Sequence, residues 1–365
     1  MKVLFIGPLP DPINGCSLAN QVLLNRLNQE ENLYTTVINT GTSDMSSKNV
    51  GFFSFKKVFH FLKSYRSVLS VLSHDVIYST PGQTFFGIAK YAPFYLLSII
   101  SGKPYTIHIH GNHLGNEYKI LSGIKKSLFK LLISKAQAGI VLSTSLKKNF
   151  DGLLAKEKIF IVENFTEDGL LHGNVVKKDS SQLRLLFLSN LMREKGIIEF
   201  LDALLILQNL GIDFHVDVAG KMEVELEDVI REKFELLKGR LVYHNVVTGQ
   251  AKRTLLYNSN VFVLPTFYRM EGQPISLIEA MATGNVVVTT KFSGIPDIVS
   301  NKNGFFVEKE NSKSLADTLI HLSDNLHRYV TEMGSYNTEY VKSNFTEKIF
   351  SEKILKVIYA TSKSK

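Results

Sequence analysis

Short apolar runs alternate with longer segments of helical period along the chain, and this alternation constrains the fold more than any other feature of the sequence. It is typical of parallel sheets whose strands are joined by crossover helices. In the first half, near-continuous apolar character also predicts strands that are covered on both faces. The predicted strands are residues 3–6, 35–39, 76–79, 105–109, 139–142 and 159–162, followed by 185–188, 214–219, 241–244, 261–264 and 286–289.

A polar stretch at residues 166–182, rich in Gly, Lys, Asp and Ser, separates the two sets of strands and is predicted to be a linker. The fold class is therefore α/β, with two Rossmann-like, doubly wound parallel-sheet domains at residues 1–170 and 181–340. Helices are predicted at residues 199–210 and 274–283, among others. The helical period of the tail predicts that residues 341–365 form a helix, which we expect to pack back on the N-terminal domain.

The composition fits this organisation, because 365 residues with 44% hydrophobic residues can form two cores. A single cysteine, Cys16, excludes an internal disulfide framework and a Cys cluster for zinc. No apolar run reaches the roughly 18 residues of a membrane span, and the N-terminus runs into a strand without a signal-peptide pattern. These features predict a cytoplasmic protein.

The net charge of +8 is unevenly distributed along the chain. Residues 1–180 hold 20 Lys and Arg against 12 Asp and Glu, whereas residues 181–365 hold 22 against 22. The excess suggests an anionic partner for the first half, such as a lipid surface, a lipid-phosphate acceptor or nucleic acid. Ordinary solvated helix faces are the alternative interpretation.

Residues 52–72 combine apolar and basic character, because apolar side chains at helical spacing alternate with basic ones. One interpretation is a core-facing helix with a basic rim. The other is a surface helix that rests on anionic lipid, as a peripheral membrane contact. The basic residues concerned are Lys56, Lys57, Lys63 and Arg66, joined in the second interpretation by Lys125, Lys126 and Lys130.

Residues 262–282 read as strand, loop and helix, with one carboxylate in the loop and one in the helix. Pro274 suits a first helical turn, so Glu271 lies before the helix and Glu279 within it. The start of a helix attracts anions through its N–H groups and its dipole, and we therefore expect a phosphate there. The residues predicted to surround it are Gly272, Gln273, Pro274 and Ile275.

The two carboxylates would repel a phosphate, but they can accept hydrogen bonds from vicinal hydroxyls. If one Glu binds a sugar and the other binds a ribose, with a diphosphate between them, the ligand has the outline of a sugar nucleotide. The alternative is that both residues are structural, one placed for the helix dipole and one on a solvated face.

Glu271-x7-Glu279, followed by Ala280-Met281-Ala282-x-Gly284 and Ser293-Gly294-Ile295-Pro296-Asp297-Ile298-Val299, resembles the donor-site signature of glycosyltransferase family 4. These are retaining enzymes of GT-B fold, in which two domains face a central cleft. The resemblance implies that Glu271 contacts hydroxyls of the transferred sugar near the reacting carbon. It implies that Glu279 holds the ribose of the nucleotide.

Residues 186–196 are similar to the family's Gly-Arg-Leu-x-x-x-Lys-Gly loop, in which the Arg and Lys neutralise the diphosphate. Lys195 matches the Lys, whereas Asn190 stands where the family Arg is usual. Arg193 is the candidate to replace it. A cation at Lys195 would stabilise charge that develops on the departing diphosphate, which makes it a catalytic candidate on physical grounds as well.

Two weaker similarities lie in the N-terminal half. Residues 7–15 resemble the family's glycine loop, with Asn14 in place of one glycine, and Gly15 is expected to let the backbone approach the donor phosphate or the acceptor. His110 follows a predicted strand at the position where the family has a histidine that faces the sugar, and it is the third catalytic candidate beside Glu271 and Lys195.

The resemblance implies a retaining hexosyltransferase that uses a nucleotide-sugar donor and a glycan or lipid-linked acceptor, in bacterial surface polysaccharide or lipopolysaccharide assembly. The chain has no Asp-x-Asp motif, so we expect neither a metal nor another cofactor. The expected location is the cytoplasm or the inner face of the membrane, and nucleic acid is not the expected partner. A sugar-nucleotide epimerase and a catalytically silent homologue are the alternatives, and a dehydrogenase would need a dinucleotide fingerprint that is absent.

Overall fold

The computed structural model describes residues 1–41, 64–171 and 178–363. The chain divides into two compact units, one formed by Met1–Asn164 with Lys348–Lys365 and the other by Phe165–Glu347. The second unit begins before the predicted boundary at residue 170, because the chain already pairs with that unit at Thr166. The Thr166 N–H donates to the Phe345 carbonyl at 2.8 Å, and the Asp168 N–H donates to Glu347 Oε1 at 3.2 Å.

The first unit contains one parallel sheet of six strands in the order β2-β1-β3-β4-β5-β6. The strands are β1 (Lys2–Gly7), β2 (Tyr34–Asn39), β3 (Val76–Ser79), β4 (Tyr105–Ile109), β5 (Ala138–Val141) and β6 (Ile159–Ile161). The described helices before the second unit are α1 (Gly15–Gln29), α2 (Ser70–Ser73), α3 (Phe85–Ala89), α4 (Ala92–Ser101), α5 (Leu114–Ile120) and α6 (Gly123–Ser134).

The second unit contains another parallel sheet of six strands, in the order β12-β11-β10-β7-β8-β9. The strands are β7 (Leu183–Leu188), β8 (Phe214–Ala219), β9 (Leu241–Tyr243), β10 (Val261–Leu264), β11 (Val286–Thr290) and β12 (Gly304–Val307). The helices are α7 (Ile197–Asn209), α8 (Glu227–Leu236), α9 (Gly249–Asn258), α10 (Ile275–Ala282), α11 (Ser312–Asp324) and α12 (Leu326–Asn344).

The predicted fold class, two Rossmann-like domains with doubly wound parallel sheets, is confirmed. Each of the eleven predicted strands corresponds to an observed one. β12 was not predicted, because a four-residue run that begins with glycine gives no clear strand pattern. Close pairing requires that glycine, since a Cβ at Gly304 would lie 1.8 Å from the Val287 carbonyl oxygen.

The prediction that the strands of the first half are covered on both faces is wrong for the edge strand β2, and the edge strand β9 of the second sheet is exposed in the same way. Tyr34 of β2 is 66% exposed and Val242 of β9 is 43% exposed. Central strands are covered on both faces, and Leu185, Leu186 and Phe187 of β7 have no exposed surface. An edge strand has a neighbour on one side alone, so fewer side chains cover its faces.

The tail forms α12 and then α13 (Glu347–Lys363), whose residues from Lys348 belong to the first unit. Phe350, Ile354 and Ile358 are buried. Lys353 Nζ lies 2.6 Å from Glu163 Oε2, and the Thr361 and Thr106 hydroxyls are 3.3 Å apart. The end of the chain is therefore an integral part of the first unit.

Residues 42–63 lie outside the described part of the chain, and with them Lys56, Lys57 and Lys63 of the predicted amphipathic segment 52–72. Its described end forms a short 3-10 turn at Tyr65–Ser67 and α2. Among the described helices, none combines the length and the apolar character that crossing a membrane would require.

Two loops of the second unit touch where β7 and β10 end. Gly196 has a φ of +81°, and a Cβ there would lie 2.6 Å from the Pro265 carbonyl oxygen. The Phe267 N–H donates to the Glu194 carbonyl at 2.8 Å. Gly196 is therefore required both by its backbone conformation and by the space that Pro265 occupies.

We expect Gly196→Ala to lower the free energy of unfolding by about 3 kcal/mol or more, because a left-handed conformation and a backbone clash act together. Gly211→Ala is the matched control. Gly211 has a φ of +73° but nothing within 4 Å of its added Cβ. The control should lose about 1 kcal/mol. Urea titration of both variants gives the comparison, and equal losses would contradict the packing argument.

Candidate functional site

The order of strands in the second sheet creates one point where the chain leaves two neighbouring strands in opposite directions. That point lies between β7 and β10, which pair at Val261 with Leu185 and at Phe262 with Leu186. In doubly wound sheets, ligands bind beyond the carboxyl ends of the strands at such a switch point. The loops that follow β7 and β10 carry Lys195 and Glu271.

Lys195 and Glu271 meet directly at this switch point. Lys195 Nζ lies 2.6 Å from Glu271 Oε2, and the Thr266 hydroxyl donates to the same oxygen at 3.2 Å. The side chains of the pair are 14% and 9% exposed, and Lys195 Nζ lies 5.2 Å from the centre of the Tyr268 ring. Two catalytic candidates that are 76 positions apart in sequence thus form one charged pair in a poorly hydrated place.

The segment at residues 293–299 holds the loop of Glu271 in position. The Ser293 hydroxyl donates to the Glu271 carbonyl, and the Gly294 N–H donates to the Gly272 carbonyl at 3.1 Å. Within the loop, the Glu271 N–H donates to the Tyr268 carbonyl at 2.8 Å. The Ser-Gly-Ile-Pro segment therefore belongs to the site through its backbone and hydroxyl contacts.

The helix that follows this loop begins at Ile275, one residue later than predicted. Pro274 occupies the cap position with a φ of −64° and a ψ of 119°, which is extended backbone rather than a helical turn. Gly272, Gln273 and Pro274 are buried, whereas Ile275 is partly exposed. The loop and the N-terminus of α10 thus lie beside the Lys195–Glu271 pair, where the dipole of the helix favours an anion.

Glu279, in the body of α10, is held by a cation that the sequence analysis did not single out. Lys252 of α9 donates to Glu279 Oε1 at 2.6 Å and also to Glu167 Oε1. The side chains of Lys252 and Glu279 are 13% and 4% exposed. No spacing rule relates Lys252 to Glu279, because the contact arises from the packing of α9 beside α10.

Burial raises the pKa of Glu279, and the attraction of Lys252 offsets only part of that rise. For Lys252, burial alone would lower the pKa, but attraction to Glu279 and Glu167 outweighs it, so that the pKa is raised. Lys252 is therefore an ammonium at neutral pH. Its charge helps the buried Glu279 to remain a carboxylate, which is the form that accepts hydrogen bonds from hydroxyls.

Arg193 and Asn190 lie on the same loop but do not contact Glu271. Arg193 Nη2 lies 3.1 Å from Glu199 Oε1, in the first turn of α7, and its side chain is 53% exposed. Asn190 is exposed, and its carbonyl accepts from the Met192 N–H at 2.9 Å. Arg193 is thus close in sequence to Lys195, but its guanidinium pairs with Glu199 rather than with Glu271.

The third catalytic candidate, His110, belongs to the first unit and follows β4 directly. Burial lowers the pKa of His110 to about 4, so the imidazole is neutral at pH 7. Its ring lies 4.0 Å from that of His108. Within the described residues, neither ring nitrogen of His110 has a hydrogen-bond partner. A buried polar group in this condition is a candidate for binding a ligand.

Gly15, also in the first unit, is exposed at the start of α1. Asn14 caps this helix, because its side chain accepts from the Cys16 and Ser17 N–H groups at 3.0 and 3.1 Å. The Ser17 hydroxyl in turn accepts from the Asn14 N–H at 2.9 Å. The family resemblance places Asn14 at a glycine position, and the capping box, which the Asn-x-x-Ser spacing could have indicated, was not predicted.

The structure thus brings Lys195 together with Glu271, and Glu279 together with Lys252, all in the second unit. In the described part of the chain, no group of three or more His, Cys, Asp or Glu side chains is arranged to hold a metal ion. The expectation that the protein needs no metal remains a prediction.

Residues 182–325 match the family described as Glycosyl transferases group 1. This region runs from β7 to α11 and includes Lys195, Lys252, Glu271 and Glu279. The match therefore covers the residues that form the two charged contacts of the second unit.

Two curated glycosyltransferases are similar to larger parts of the chain. The putative colanic acid biosynthesis glycosyltransferase WcaL of Escherichia coli (strain K12) is 25% identical over 284 residues, which cover 72% of this chain and 66% of WcaL. The capsular polysaccharide biosynthesis glycosyltransferase CapM of Staphylococcus aureus is 27% identical over 230 residues, or 59% of each chain. In both cases the chain spans less than two thirds of the relative's length. Its homologues are thus glycosyltransferases of polysaccharide biosynthesis.

The crystal structure of Alr3699/HepE from Anabaena in complex with UDP resembles this chain with a TM-score of 0.75. The match covers 99% of this chain and 100% of that chain at 16% identity, a level that shows the fold alone. The fold is GT-B. Together, the matched family and this fold support a GT-B glycosyltransferase.

The contact of Lys252 with Glu279 gives a pH-dependent prediction. In Lys252→Met the buried Glu279 loses its cation, and its pKa rises further above that of the unfolded chain. A raised native pKa means stability that is kept at low pH and lost as the pH rises through that pKa. We expect a loss of about 3 kcal/mol in the free energy of unfolding at about pH 8, and a smaller loss at about pH 5.

Urea unfolding at both pH values measures this effect. Lys252→Arg should retain most of the stability, because it keeps the charge. Lys233→Met, which removes the more exposed ion pair with Asp202, should cost less than about 1 kcal/mol at either pH. A loss for Lys252→Met that does not change with pH would refute the role of Lys252 in keeping Glu279 charged.

Proposed function

We propose that the protein is a retaining glycosyltransferase that moves a hexosyl group from a nucleoside-diphosphate sugar to a hydroxyl group of a glycan or lipid-linked glycan. The proposed setting is surface polysaccharide or lipopolysaccharide assembly at the cytoplasmic face of a bacterial membrane. The observation that carries the proposal is the contact between Lys195 and Glu271 at the switch point of the second sheet. The biosynthetic roles named for WcaL and CapM support the setting.

The diphosphate would lie between Lys195 and the N-terminus of α10. An ammonium has three donors, and the contact with Glu271 uses one of them. The others would donate to phosphate oxygens of the bound donor. Glu271 would accept hydrogen bonds from hydroxyls of the sugar, and Glu279, kept ionised by Lys252, would accept them from the ribose. The UDP bound to HepE supports a nucleotide as part of the ligand.

In the proposed reaction, the acceptor oxygen forms a bond to the anomeric carbon on the face from which the diphosphate leaves. The bond between that carbon and the phosphate oxygen breaks, and the proton of the acceptor hydroxyl passes to the departing phosphate. Lys195 stabilises the negative charge that develops there, so its interaction is stronger in the transition state than in the bound donor.

His110 fits a role in orienting the sugar. Because its imidazole is neutral, it can donate one hydrogen bond and accept another, but it brings no positive charge to the donor. Its two buried nitrogens would gain hydrogen-bond partners when a sugar hydroxyl binds. Arg193 stays a secondary candidate for binding the diphosphate. Gly15 stays a secondary candidate as the position where the backbone can approach the donor phosphate or the acceptor.

Metal independence is part of the proposal. The positive charge for the diphosphate would come from Lys195 and from the dipole of α10, which are fixed in place before the donor binds. If so, EDTA leaves turnover unchanged, whereas loss of activity on chelation, restored by added Mg²⁺ or Mn²⁺, would contradict this part. The configuration at the anomeric carbon of the product, measured by NMR, tests retention separately.

The donor site can be tested by calorimetric titration with UDP-, GDP-, ADP- and dTDP-sugars without added metal. We expect one class to bind, and Glu271→Gln to weaken binding of that nucleotide sugar about tenfold or more while leaving the free nucleotide nearly unaffected. Glu279→Gln should weaken both ligands, because both contain the ribose.

Glu232→Gln, an exposed glutamate on α8, is the matched control and should change neither affinity. If Glu271→Gln weakened free nucleotide as much as nucleotide sugar, the assignment of Glu271 to the sugar would be wrong. An epimerase would be recognised by conversion of the sugar nucleotide in the absence of any acceptor, and a silent homologue by binding without turnover.

A further inference from the structure

The first unit carries a surface on which large apolar side chains and lysines lie together. Ile120, at the end of α5, is 75% exposed, and Ile124, at the start of α6, is 88% exposed. Two residues separate the helices, so both isoleucines flank one corner of the unit. Phe86 of α3 is 45% exposed and is linked to this corner by Lys125, whose Nζ lies 6.0 Å from its ring centre.

Basic side chains border these apolar ones. Lys119 and Lys125 are exposed, and Lys126 Nζ lies 4.9 Å from the centre of the Tyr118 ring. We call the set formed by Phe86, Ile120, Ile124, Lys119, Lys125 and Lys126 the corner surface. On α6, the exposed Leu131 lies seven residues after Ile124 and therefore on the same helical face, which extends the apolar area.

The charge of this part of the chain is almost entirely positive. Residues 76–150 contain nine lysines, no arginine and one acidic residue, Glu117. Glu117 is already engaged, since its carboxylate accepts from the Phe85 N–H at 2.7 Å and lies 3.4 Å from His113 Nε2. The corner surface therefore has no exposed carboxylate of its own segment to neutralise its lysines.

We infer that the corner surface docks on an anionic lipid bilayer. Ile120 and Ile124 differ from other exposed isoleucines because they flank one corner beside lysines, and together they can enter the boundary between headgroups and acyl chains. The lysines beside them would remain at the level of the anionic headgroups. A protein partner is disfavoured, because protein interfaces are depleted in Lys and enriched in Arg. Recognition of nucleic acid would draw on Arg or on stacking aromatic rings rather than on isoleucine.

The position of the surface in the fold connects it with the acceptor. α3 and α5 follow β3 and β4, so the surface lies at the carboxyl edge of the first sheet, the edge that also holds His110. The loop after β3 and the loop after β4 are joined at this edge, because the His113 N–H donates to Gln83 Oε1 at 2.6 Å. This inference rests on the proposed function in one respect, namely that an acceptor anchored in the bilayer would reach this edge.

The test is co-sedimentation of the full chain with phosphatidylcholine vesicles, with and without phosphatidylglycerol. We expect binding to the anionic vesicles that weakens with salt. Ile120→Ser combined with Ile124→Ser should weaken the binding about tenfold or more. Lys119→Ser combined with Lys125→Ser should weaken it about 25-fold, or about fivefold for each charge.

Matched controls lie on the same unit. Ile100→Ser removes an isoleucine that is 81% exposed at the end of α4, towards the amino edge of the sheet, and Lys156→Ser removes an exposed lysine that precedes β6. Both should bind as the unchanged chain does. Circular dichroism and the unfolding midpoint check that the corner variants remain folded, as expected for exposed positions.

Equal binding to neutral and anionic vesicles, no binding to either, or an equal loss in the control variants would overturn the inference. Retention on a DNA column that the corner substitutions abolish, without vesicle binding, would assign the surface to nucleic acid instead. The vesicle assay uses no donor or acceptor, so its outcome is separate from that of the nucleotide titrations. A chain that binds nucleotide sugars but no vesicles would keep the proposed function and lose this inference.

Discussion

The close approach of the loops after β7 and β10 is the constraint on which the candidate site depends. Gly196 leaves no side chain between the loops, so the Pro265 backbone can lie where a Cβ would be. This approach brings Lys195 within hydrogen-bond distance of Glu271. Without a glycine at that position the loops would separate, and the charges that we assign to the diphosphate and the sugar would no longer meet.

The second unit holds the buried carboxylates Glu271 and Glu279 in pairs with lysines, and this determines what they can do. A buried carboxylate without a cation would take up a proton and lose its ability to accept two hydrogen bonds. Lys252 counters this effect at Glu279, and Lys195 is paired with Glu271. In the first unit the buried His110 is instead neutral and without a hydrogen-bond partner among the described residues. The second unit thus offers carboxylates that are paired with lysines. The first unit offers a neutral imidazole and, on the same edge of its sheet, a basic surface.

The sequence predicted the site to different degrees in different places. Glu271, Glu279 and Lys195 were singled out because they match local family motifs, and the structure shows that each contacts or pairs with a buried oppositely charged side chain. Arg193 was offered as a partner of the diphosphate, yet it contacts Glu199, which nearness in sequence does not indicate. Asn14 was assigned by analogy to a glycine loop, although its local pattern is that of a helix cap. Lys252 gave no sequence signal.

The sequence by itself determined the two α/β units and eleven of the twelve described strands, because apolar periodicity and turn residues are local properties of the chain. Tertiary structure alone decided the order of the strands, the unit to which residues 165–170 belong, and the partners of Lys252 and Arg193. Those features depend on contacts between residues far apart in sequence, whose energies come from packing and burial. The exposure of Ile120 and Ile124 belongs to the same class, since an apolar pattern does not tell which side chains the fold leaves in contact with water.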